Sequence, residues 1–424
     1  MTALVAPPSL ALPVSATRRY IAAGSFILFG LIDILLFGLF AKPGDATFVF
    51  TAGGTAHVPE LPLPASTVCY VLGAASILIG VARAVVDPGK VWRRVSIGVV
   101  LAFFVISLLC WAYAGSAIPL NVVNLLQSTM NLSIPLVLGA LAGCMCERSG
   151  VINIAIEGQL LLGAFSAAVV ASAVGGLWLG LIAGSLAGGV LGLVLAWFAI
   201  AYLVDQIILG VVLNTLIIGL TGYLYDDLMV PYSNTLNSPP TFSAVKIPLL
   251  ADIPIIGPVF FQATIFLYLT YLALALVQVG LFATRWGLRT RAVGEHPVAA
   301  DTVGIRVYAT RYRNVIGAGV LAGIGGAYLT IGSVGSFAKG MSSGEGYIAL
   351  AAMIFGRYTP FGAIGAALLF GFSTQLQSIL STMNVPIQSN LLLATPYVVT
   401  IIVVAGLVGK VRPPKAEGIP YVKS

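Results

Sequence analysis

The segment ERSGVINIAIEGQ, from Glu147 to Gln159, is a polar, glycine-containing stretch in an otherwise apolar chain. Apolar runs at 132–142 and 160–173 flank it and can extend into a bilayer. A bilayer core tolerates charge and non-helical backbone only where protein or a water-filled cavity covers them. The segment is therefore predicted to lie at a membrane face or to line a path through the protein, and both placements point to transport.

The composition is typical of a polytopic membrane protein. Of the 424 residues, 59% are hydrophobic and 8% are charged, whereas a soluble domain has about 25% charged residues. The 48 glycines provide the small side chains that let membrane helices approach closely. In such a chain a net charge of +7 predicts basic cytoplasmic loops and does not indicate binding to nucleic acid.

Apolar runs long enough to cross the hydrocarbon predict an all-α fold of about twelve transmembrane or partly spanning helices. The tenth run is short and lies between Gly344 and Arg357, which suggests a helix that does not cross alone. The predicted spans are 20–41, 66–86, 95–115, 121–144, 154–174, 177–203, 206–224, 260–283, 314–332, 345–357, 361–381 and 391–409.

The distribution of Lys and Arg predicts the orientation of these spans. The loop 284–313 contains six of the 21 basic residues, so it is expected to be cytoplasmic. Arg18 and Arg19 place the N-terminus on the same side. The tail after residue 409 is also basic and is expected to be cytoplasmic as well. The loop 225–259 is more acidic than basic and is expected outside. Both termini are thus predicted to be cytoplasmic.

The loop 284–313 also contains a predicted short helix, from His296 to Val303. Pro297 suits the first position of a helix, and Gly304 is a good terminator. Charged residues flank this helix, which favours a surface that docks on another protein. An ordinary basic loop of a membrane protein is the alternative.

Four stretches together resemble one family. GCMCERSGVINIAIEGQLLLGAF (143–165) resembles the permease subunits of bacterial ABC importers for branched-chain amino acids, simple sugars and nucleosides, and is most similar to the nucleoside branch. RAVGEHPVAADTVGI (291–305) resembles that family's segment that couples to the ATPase. The stretches 344–371 and 247–261 also match, and the resemblance covers roughly residues 121 to 410.

The resemblance implies the fold and the partners. We expect a type II ABC importer permease core at 116–412, with two permease subunits around one substrate path in a bacterial inner membrane. The expected partners are an ABC ATPase, a second permease, a periplasmic or lipid-anchored binding protein and membrane lipid. The coupling loop, 284–313, would contact the ATPase through Glu295, Ala299, Ala300, Asp301 and Gly304.

The first 115 residues depart from the family pattern, because they add about three spans before the core. Their role is not predicted. Asp33 lies within an apolar run, and a charge there is a functional hypothesis by default. Pairing with Arg18, Arg19 or a neighbouring helix is the structural alternative. The segment 413–424 is predicted to be a cytoplasmic tail.

No motif in the sequence predicts a cofactor, a metal site or catalysis by this chain. None of its Gly-Lys pairs fits a phosphate-binding loop, so ATP hydrolysis is expected in a separate subunit. Cys144 and Cys146 form a lone CxC and are expected to be packing residues. The glycine-rich run 317–326 lies in an apolar span, where close helix contact is the expected role.

Polar residues in apolar surroundings are the candidates for the substrate path. Asn153 and Glu157 would share a face if their segment is helical, as would Gln127 and Asn131, and Asn214 lies in another span. Interhelical hydrogen bonding is the alternative role. Carboxylate and amide groups suit a neutral solute with hydroxyls and a base, so nucleosides are expected first and simple sugars second.

Two other classes of protein are also considered. A secondary, ion-coupled transporter usually has charged residues at mid-membrane, whereas most acids here fall near predicted span ends. A structural or sensory membrane protein would not require the polar residues proposed above for the substrate path. The coupling loop favours the ABC permease over both.

Overall fold

The computed structural model describes residues 16–51, 60–86, 89–383, 391, 394 and 412–423. The described residues up to 122, with 380–383, form one compact unit, and the remainder form a second. The division falls after Val122, whereas the sequence placed it after residue 115.

The described residues confirm a mostly helical, multi-pass membrane protein. Ten helices are long and apolar enough to span a membrane, and Glu345–Phe355 is a shorter apolar helix. Each of the first eleven predicted spans corresponds to one of these helices. The twelfth predicted span, 391–409, lies outside the described residues except at two positions.

The first unit consists of three antiparallel helices and a small sheet. Strand β1 pairs antiparallel with β2 and parallel with β3. Helix α1 continues into one π-helical segment, Asp33–Gly38. The elements are α1 (Ala16–Ile32), β1 (Asp45–Val49), β2 (Leu61–Pro64), α2 (Ala65–Val85), α3 (Lys90–Tyr113) and β3 (Leu120–Asn121).

The second unit contains the remaining helices and one two-stranded sheet, in which β4 and β5 pair antiparallel. Its elements are α4 (Val122–Glu147), α5 (Ile156–Val174), α6 (Leu177–Ala196), α7 (Gln206–Leu224), α8 (Ser233–Leu236), β4 (Val245–Lys246), α9 (Ile256–Phe261), β5 (Gln262–Ala263), α10 (Ile265–Ala283), α11 (Arg285–Glu295), α12 (Pro297–Thr302), α13 (Val307–Ala327), α14 (Glu345–Phe355) and α15 (Pro360–Thr382). Short π-helical segments extend α6, α7 and α13.

Glycines hold the core of the second unit together. Helix α13 packs against both α5 and α6. A Cβ at Gly319 would collide with the carbonyl of Gly188 on α6, and a Cβ at Gly326 would collide with the carbonyl of Leu160 on α5. Backbones this close require residues without side chains. The glycine-rich run therefore serves helix packing, as predicted.

Candidate functional site

Glu157 fastens the start of α5 to the loop before α14. Its Oε1 accepts hydrogen bonds from Ser342 Oγ (2.7 Å) and from the backbone N–H of Gly344 (2.9 Å). Its Oε2 accepts a bond from the N–H of Gly346 (2.7 Å). A Cβ at Gly346 would collide with the backbone of Glu157, so glycine is required there. Arg148, the nearest basic residue in the sequence, does not pair with Glu157, because its Nε donates to the carbonyl of Tyr358.

Asn214 on α7 ties three segments together. Its Oδ1 accepts from the N–H of Gly158 (2.8 Å), and its Nδ2 donates to the carbonyl of Ile154 (2.9 Å) and to the hydroxyl of Tyr347 on α14 (3.0 Å). An amide can donate and accept at once, which is what this junction of α5, α7 and α14 requires. The Tyr347 side chain is 46% exposed, so it is the open end of the network.

Asn153 precedes α5 and is not part of it, because the helix begins at Ile156. The condition for a shared helical face with Glu157 is therefore not met. Its Nδ2 donates to Gln159 Oε1 (3.1 Å). The exposed fractions are 0% for Asn153, 4% for Glu157 and 1% for Asn214. All three are buried, and their contact with substrate stays a prediction.

Gln127 and Asn131 do share a face of α4, and both are half-buried. Gln127 donates to the carbonyl of Pro258 (2.9 Å), so it holds α9 against α4. Asn131 has no hydrogen-bond partner among the described residues. Ser128 lies on the same stripe, which makes this half of α4 the more accessible polar surface of the two candidate regions.

The predicted short helix in the coupling loop is present as α12. Pro297 is in its first turn. Gly304 follows its end with φ +83°, the N–H of Gly304 bonds to the carbonyl of Asp301 (2.9 Å), and that of Ile305 bonds to Ala300 (3.0 Å). These two bonds are a Schellman termination, which favours glycine at the left-handed position.

The coupling residues divide between two faces of α12. Glu295, Ala299 and Gly304 are exposed and Asp301 is half-buried, but Ala300 is only 3% exposed and points inward. Ala300, which was expected to contact the ATPase from a water-exposed loop, is therefore buried, and the expected exposure is wrong. Two valines missed by the sequence reasoning are instead exposed beside Ala299, Val298 at 60% and Val303 at 75%.

The C-terminal segment 412–423 explains why Ala300 is covered. Tyr421 packs with Val293, Ala300 and Val307 in one buried cluster. The backbone N–H of Ala416 donates to the carbonyl of Gly294 (2.8 Å), which fastens the segment to the end of α11. We call residues 412–423 the clasp. The clasp supports the inner face of α12 and leaves its outer face free.

The clasp also reaches the ERSG motif. The N–H of Gly418 donates to the carbonyl of Gly150 (3.3 Å), and buried Arg311 donates through Nη1 to the carbonyl of Ile419 (3.1 Å). Since Gly150 adopts φ +87° and a Cβ there would press on Arg311 Nη2 (3.0 Å), the Gly of the motif is required by geometry. The motif and the coupling loop thus meet at one end of the second unit.

Charged groups at this junction are partly desolvated. Burial lowers the pKa of Arg148, whose Nε donates to the carbonyl of Tyr358 (2.9 Å). Burial raises the pKa of Glu417, whose carboxyl lies against Glu147 and accepts from the Tyr358 hydroxyl (3.5 Å). The two carboxyl groups share a site that favours a proton on one of them.

The structure adds residues that the sequence reasoning missed. Gln206 Oε1 accepts from the N–H of Ile152 (2.7 Å), and Ser342 and Tyr347 complete the bonds of Glu157 and Asn214. Gln206 has the signal that selected Asn214, a polar side chain in an apolar span. Ser342 lies in a loop, where serine is ordinary and gives no such signal.

No solved structure matches the chain significantly. Comparison with curated proteins finds relatives among permeases. The chain is 39% identical over 310 residues to the guanosine ABC transporter permease protein NupQ of Bacillus subtilis, covering 70% of this chain and 96% of the relative. It is 39% identical over 321 residues to the nucleoside ABC transporter permease protein NupC of Lactococcus lactis, covering 72% and 100%.

A third relative is the putative glucose ABC transporter permease protein TsgC13 of Haloferax volcanii, 35% identical over 271 residues, covering 64% of this chain and 82% of the relative. The family model for the permease component of branched-chain amino acid transport systems matches residues 125–406, so the first 124 residues lie outside it. The match begins three residues into α4 and extends through the coupling loop and α15. The chain belongs to this family of ABC transporter permease components.

Proposed function

We propose that this chain is a permease subunit that imports nucleosides across a bacterial inner membrane, driven by a separate ABC ATPase. The observation that carries the proposal is its similarity to permeases named for guanosine and nucleosides over nearly their whole length. A second permease and a periplasmic or lipid-anchored binding protein complete the importer. The coupling loop and both termini face the cytoplasm, as the basic residues predict.

The outer face of α12 supports the docking of the ATPase. Val298 and Val303 are large apolar side chains exposed to solvent on either side of Ala299, which is small enough to enter a cleft. Exposed apolar groups rimmed by charge are typical of protein–protein contacts. Glu295 and Arg306 are the exposed charged residues beside these apolar groups, and the clasp packs against the opposite, inner face of the helix.

The exposed end of the polar network supports a nucleoside substrate. The half-exposed ring of Tyr347 offers a face on which a base can stack, and aromatic stacking contributes about 1–3 kcal/mol per base in nucleic-acid complexes. Asn214 fixes the Tyr347 hydroxyl, so the ring is held in place. Gln127 and Asn131 offer amides to the hydroxyls of a sugar, and Asn153, Glu157 and Asn214 form hydrogen bonds around the start of α5.

Reconstitution tests the source of energy. Purified chain with its second permease is placed in liposomes, with and without the ATPase and binding protein, and uptake of labelled guanosine is measured. We expect uptake only with the ATPase and ATP. Uptake driven by a proton or sodium gradient without the ATPase would overturn the proposal and favour a secondary transporter.

Variants of adjacent alanines test the docking face. Ala299→Arg should release the ATPase in co-purification while the melting temperature of the permease is unchanged, because Ala299 is exposed. Ala300→Arg should instead lower the melting temperature, because Ala300 is buried under the clasp. Leu249→Arg, at a highly exposed position in the loop before α9, is the control. Retention of the ATPase by Ala299→Arg would contradict the assignment.

A simple sugar is the second candidate substrate, because one relative is named as a putative glucose permease. Uptake of labelled guanosine, ribose, glucose and leucine is compared in cells expressing the whole importer. Guanosine uptake with glucose at background supports the proposal, and the reverse result supports the sugar. Leucine as the transported solute would exclude both.

A further inference from the structure

Asp33 is buried in the first unit without a partner. Its exposed fraction is 0%, and neither carboxylate oxygen has a hydrogen-bond partner among the described residues. The axial rise of α1 places it about 21 Å from Arg19. The proposed pairing with Arg19 is therefore wrong. A carboxylate in this position requires a compensating group.

Two serine hydroxyls in the same unit are also buried and unpaired. Ser76 on α2 and Ser107 on α3 are each 0% exposed, and neither Oγ has a partner in the described part of the chain. Buried polar side chains usually find a hydrogen bond. Three such groups lie on three neighbouring helices, and one shared ligand would satisfy all of them.

The packing of α1 against α2 directs Asp33 and Ser76 toward each other. A Cβ at Gly73, one turn before Ser76, would lie 3.0 Å from the Asp33 Cβ, whereas Gly30 lies against Gly73 and Ile77. The helices are therefore antiparallel at this level. Side chains on a helix lean toward its N-terminus, so Asp33 leans toward the level of Ser76 and Ser76 leans toward the level of Asp33.

Helix α3 brings Ser107 to the same place. The Cys69 thiol, one turn before Gly73, donates to the carbonyl of Ser107 (3.4 Å). The Ser107 hydroxyl lies close enough to the Asp33 carboxyl to interact with it, but no hydrogen bond of good geometry joins the two groups. The Phe104 ring contacts those of Phe29 and Phe37, with ring centres 5.0 and 5.6 Å apart. Phe29 and Phe37 lie one turn on either side of Asp33, so Phe104 of α3 packs over the stretch of α1 that contains Asp33.

The chemistry of the three groups fits a small monovalent cation. Together they offer four hard oxygen atoms, two from the carboxylate and two from hydroxyls, which suit alkali and alkaline-earth ions better than soft metals. Only one of these groups carries charge, so a monovalent ion leaves the site neutral and a divalent ion leaves a buried positive charge. The described residues contain no cluster of His, Cys, Asp and Glu for a transition metal.

We propose that Asp33, Ser76 and Ser107 form a sodium-binding site inside the three N-terminal helices. The ion bridges α1, α2 and α3 and neutralises the one buried carboxylate of this bundle. The π-helical segment that begins at Asp33 is part of the site, and such segments occur often where helices bind ligands. The site belongs to the unit that precedes the family match, so it does not depend on the proposed substrate.

Equilibrium binding of radioactive sodium to the purified full-length chain in nanodiscs, with choline as the background salt, tests the proposal. We expect saturable binding of about one ion per chain and a melting temperature that rises with sodium concentration. Asp33→Asn should abolish both effects. Ser76→Ala and Ser107→Ala should each weaken sodium binding by roughly tenfold or more, because each removes one ligand.

The control variants are Ser25→Ala and Asp45→Asn. Ser25 is a serine of α1 that bonds to its own helix at Ala22, and Asp45 is an exposed acid in β1. Both variants should bind sodium like the parent. Absence of saturable binding, or equal binding by Asp33→Asn, would overturn the site and leave Asp33 as a protonated acid. Equal stabilisation by potassium would overturn the assignment to sodium.

Discussion

Glu157 in the second unit and Asp33 in the first are both acids buried within apolar helices, but they differ in what surrounds them. Glu157 accepts three hydrogen bonds from the 342–346 loop. Asp33 accepts none among the described residues and has two unpaired serines nearby. A buried carboxylate with its full set of donors joins two segments of the fold, whereas one without donors is neutralised by a proton or by a bound cation. The sequence alone gives both acids the same signal.

The largest expected effect tests the fastening. Glu157→Ala leaves Ser342 Oγ and the N–H groups of Gly344 and Gly346 without their acceptor, at a cost of roughly 2–5 kcal/mol in unfolding free energy. Melting of the purified chain in detergent measures this loss. Asp227→Ala, at an exposed acid, is the control. An unchanged melting temperature would refute the structural role of Glu157.

The same measurement on Asp33→Asn should give the opposite sign in choline buffer without sodium. Removing an uncompensated buried charge is expected to stabilise the first unit by about 1–3 kcal/mol. The order should reverse in sodium, where the parent gains its ligand and the variant does not. Equal destabilisation by Asp33→Asn and Glu157→Ala in choline would show that both acids stabilise the fold.

Asn214 extends the comparison to a neutral group. Asn214→Ala removes the acceptor of Gly158 and the donor to Ile154 and Tyr347, and should cost about 1–2 kcal/mol. Tyr347→Phe removes one bond at a half-exposed side chain and should cost less than about 1 kcal/mol. Thermal melting separates the two values. If Tyr347→Phe lost more unfolding free energy than Asn214→Ala, Tyr347 on α14 would be the main stabilising residue of this hydrogen-bond network, and not Asn214.

The smallest effect concerns the clasp. Burial raises the pKa of Glu417 above its ordinary value of 4.5, so the docked clasp holds more protons than a released clasp at pH above that value. Docking should therefore weaken as pH rises through the window from 4.5 to the raised pKa. Hydrogen-exchange protection of the Ala416 and Gly418 amides, measured against pH, reports how tightly the clasp is docked. Glu417→Gln should remove the dependence, and a slope that persists would assign it to another group.

The sequence by itself determined the membrane class, eleven apolar helices and the family. Apolar runs fix helices in a bilayer because every backbone group must be bonded within its own segment. Local signals also located α12, since Pro297 and Gly304 act on the backbone beside them. The stretch that contains ERSG indicated the family by resemblance alone, and the structure shows that its glycine at 150 has φ +87°, which favours glycine.

Only the tertiary structure decided which polar side chains are hydrogen-bonded within the protein and which have no partner among the described residues. Glu157 is satisfied by Ser342, which is 185 residues away in the chain, and no local pattern contains that pairing. Neighbouring residues Ala299 and Ala300 face opposite ways because the clasp, more than a hundred residues later, covers one side of α12. Contacts between distant segments depend on how helices pack. Asp33 became a candidate ion ligand only because α2 and α3 each contribute a buried, unpaired serine to the same unit, as the described residues show.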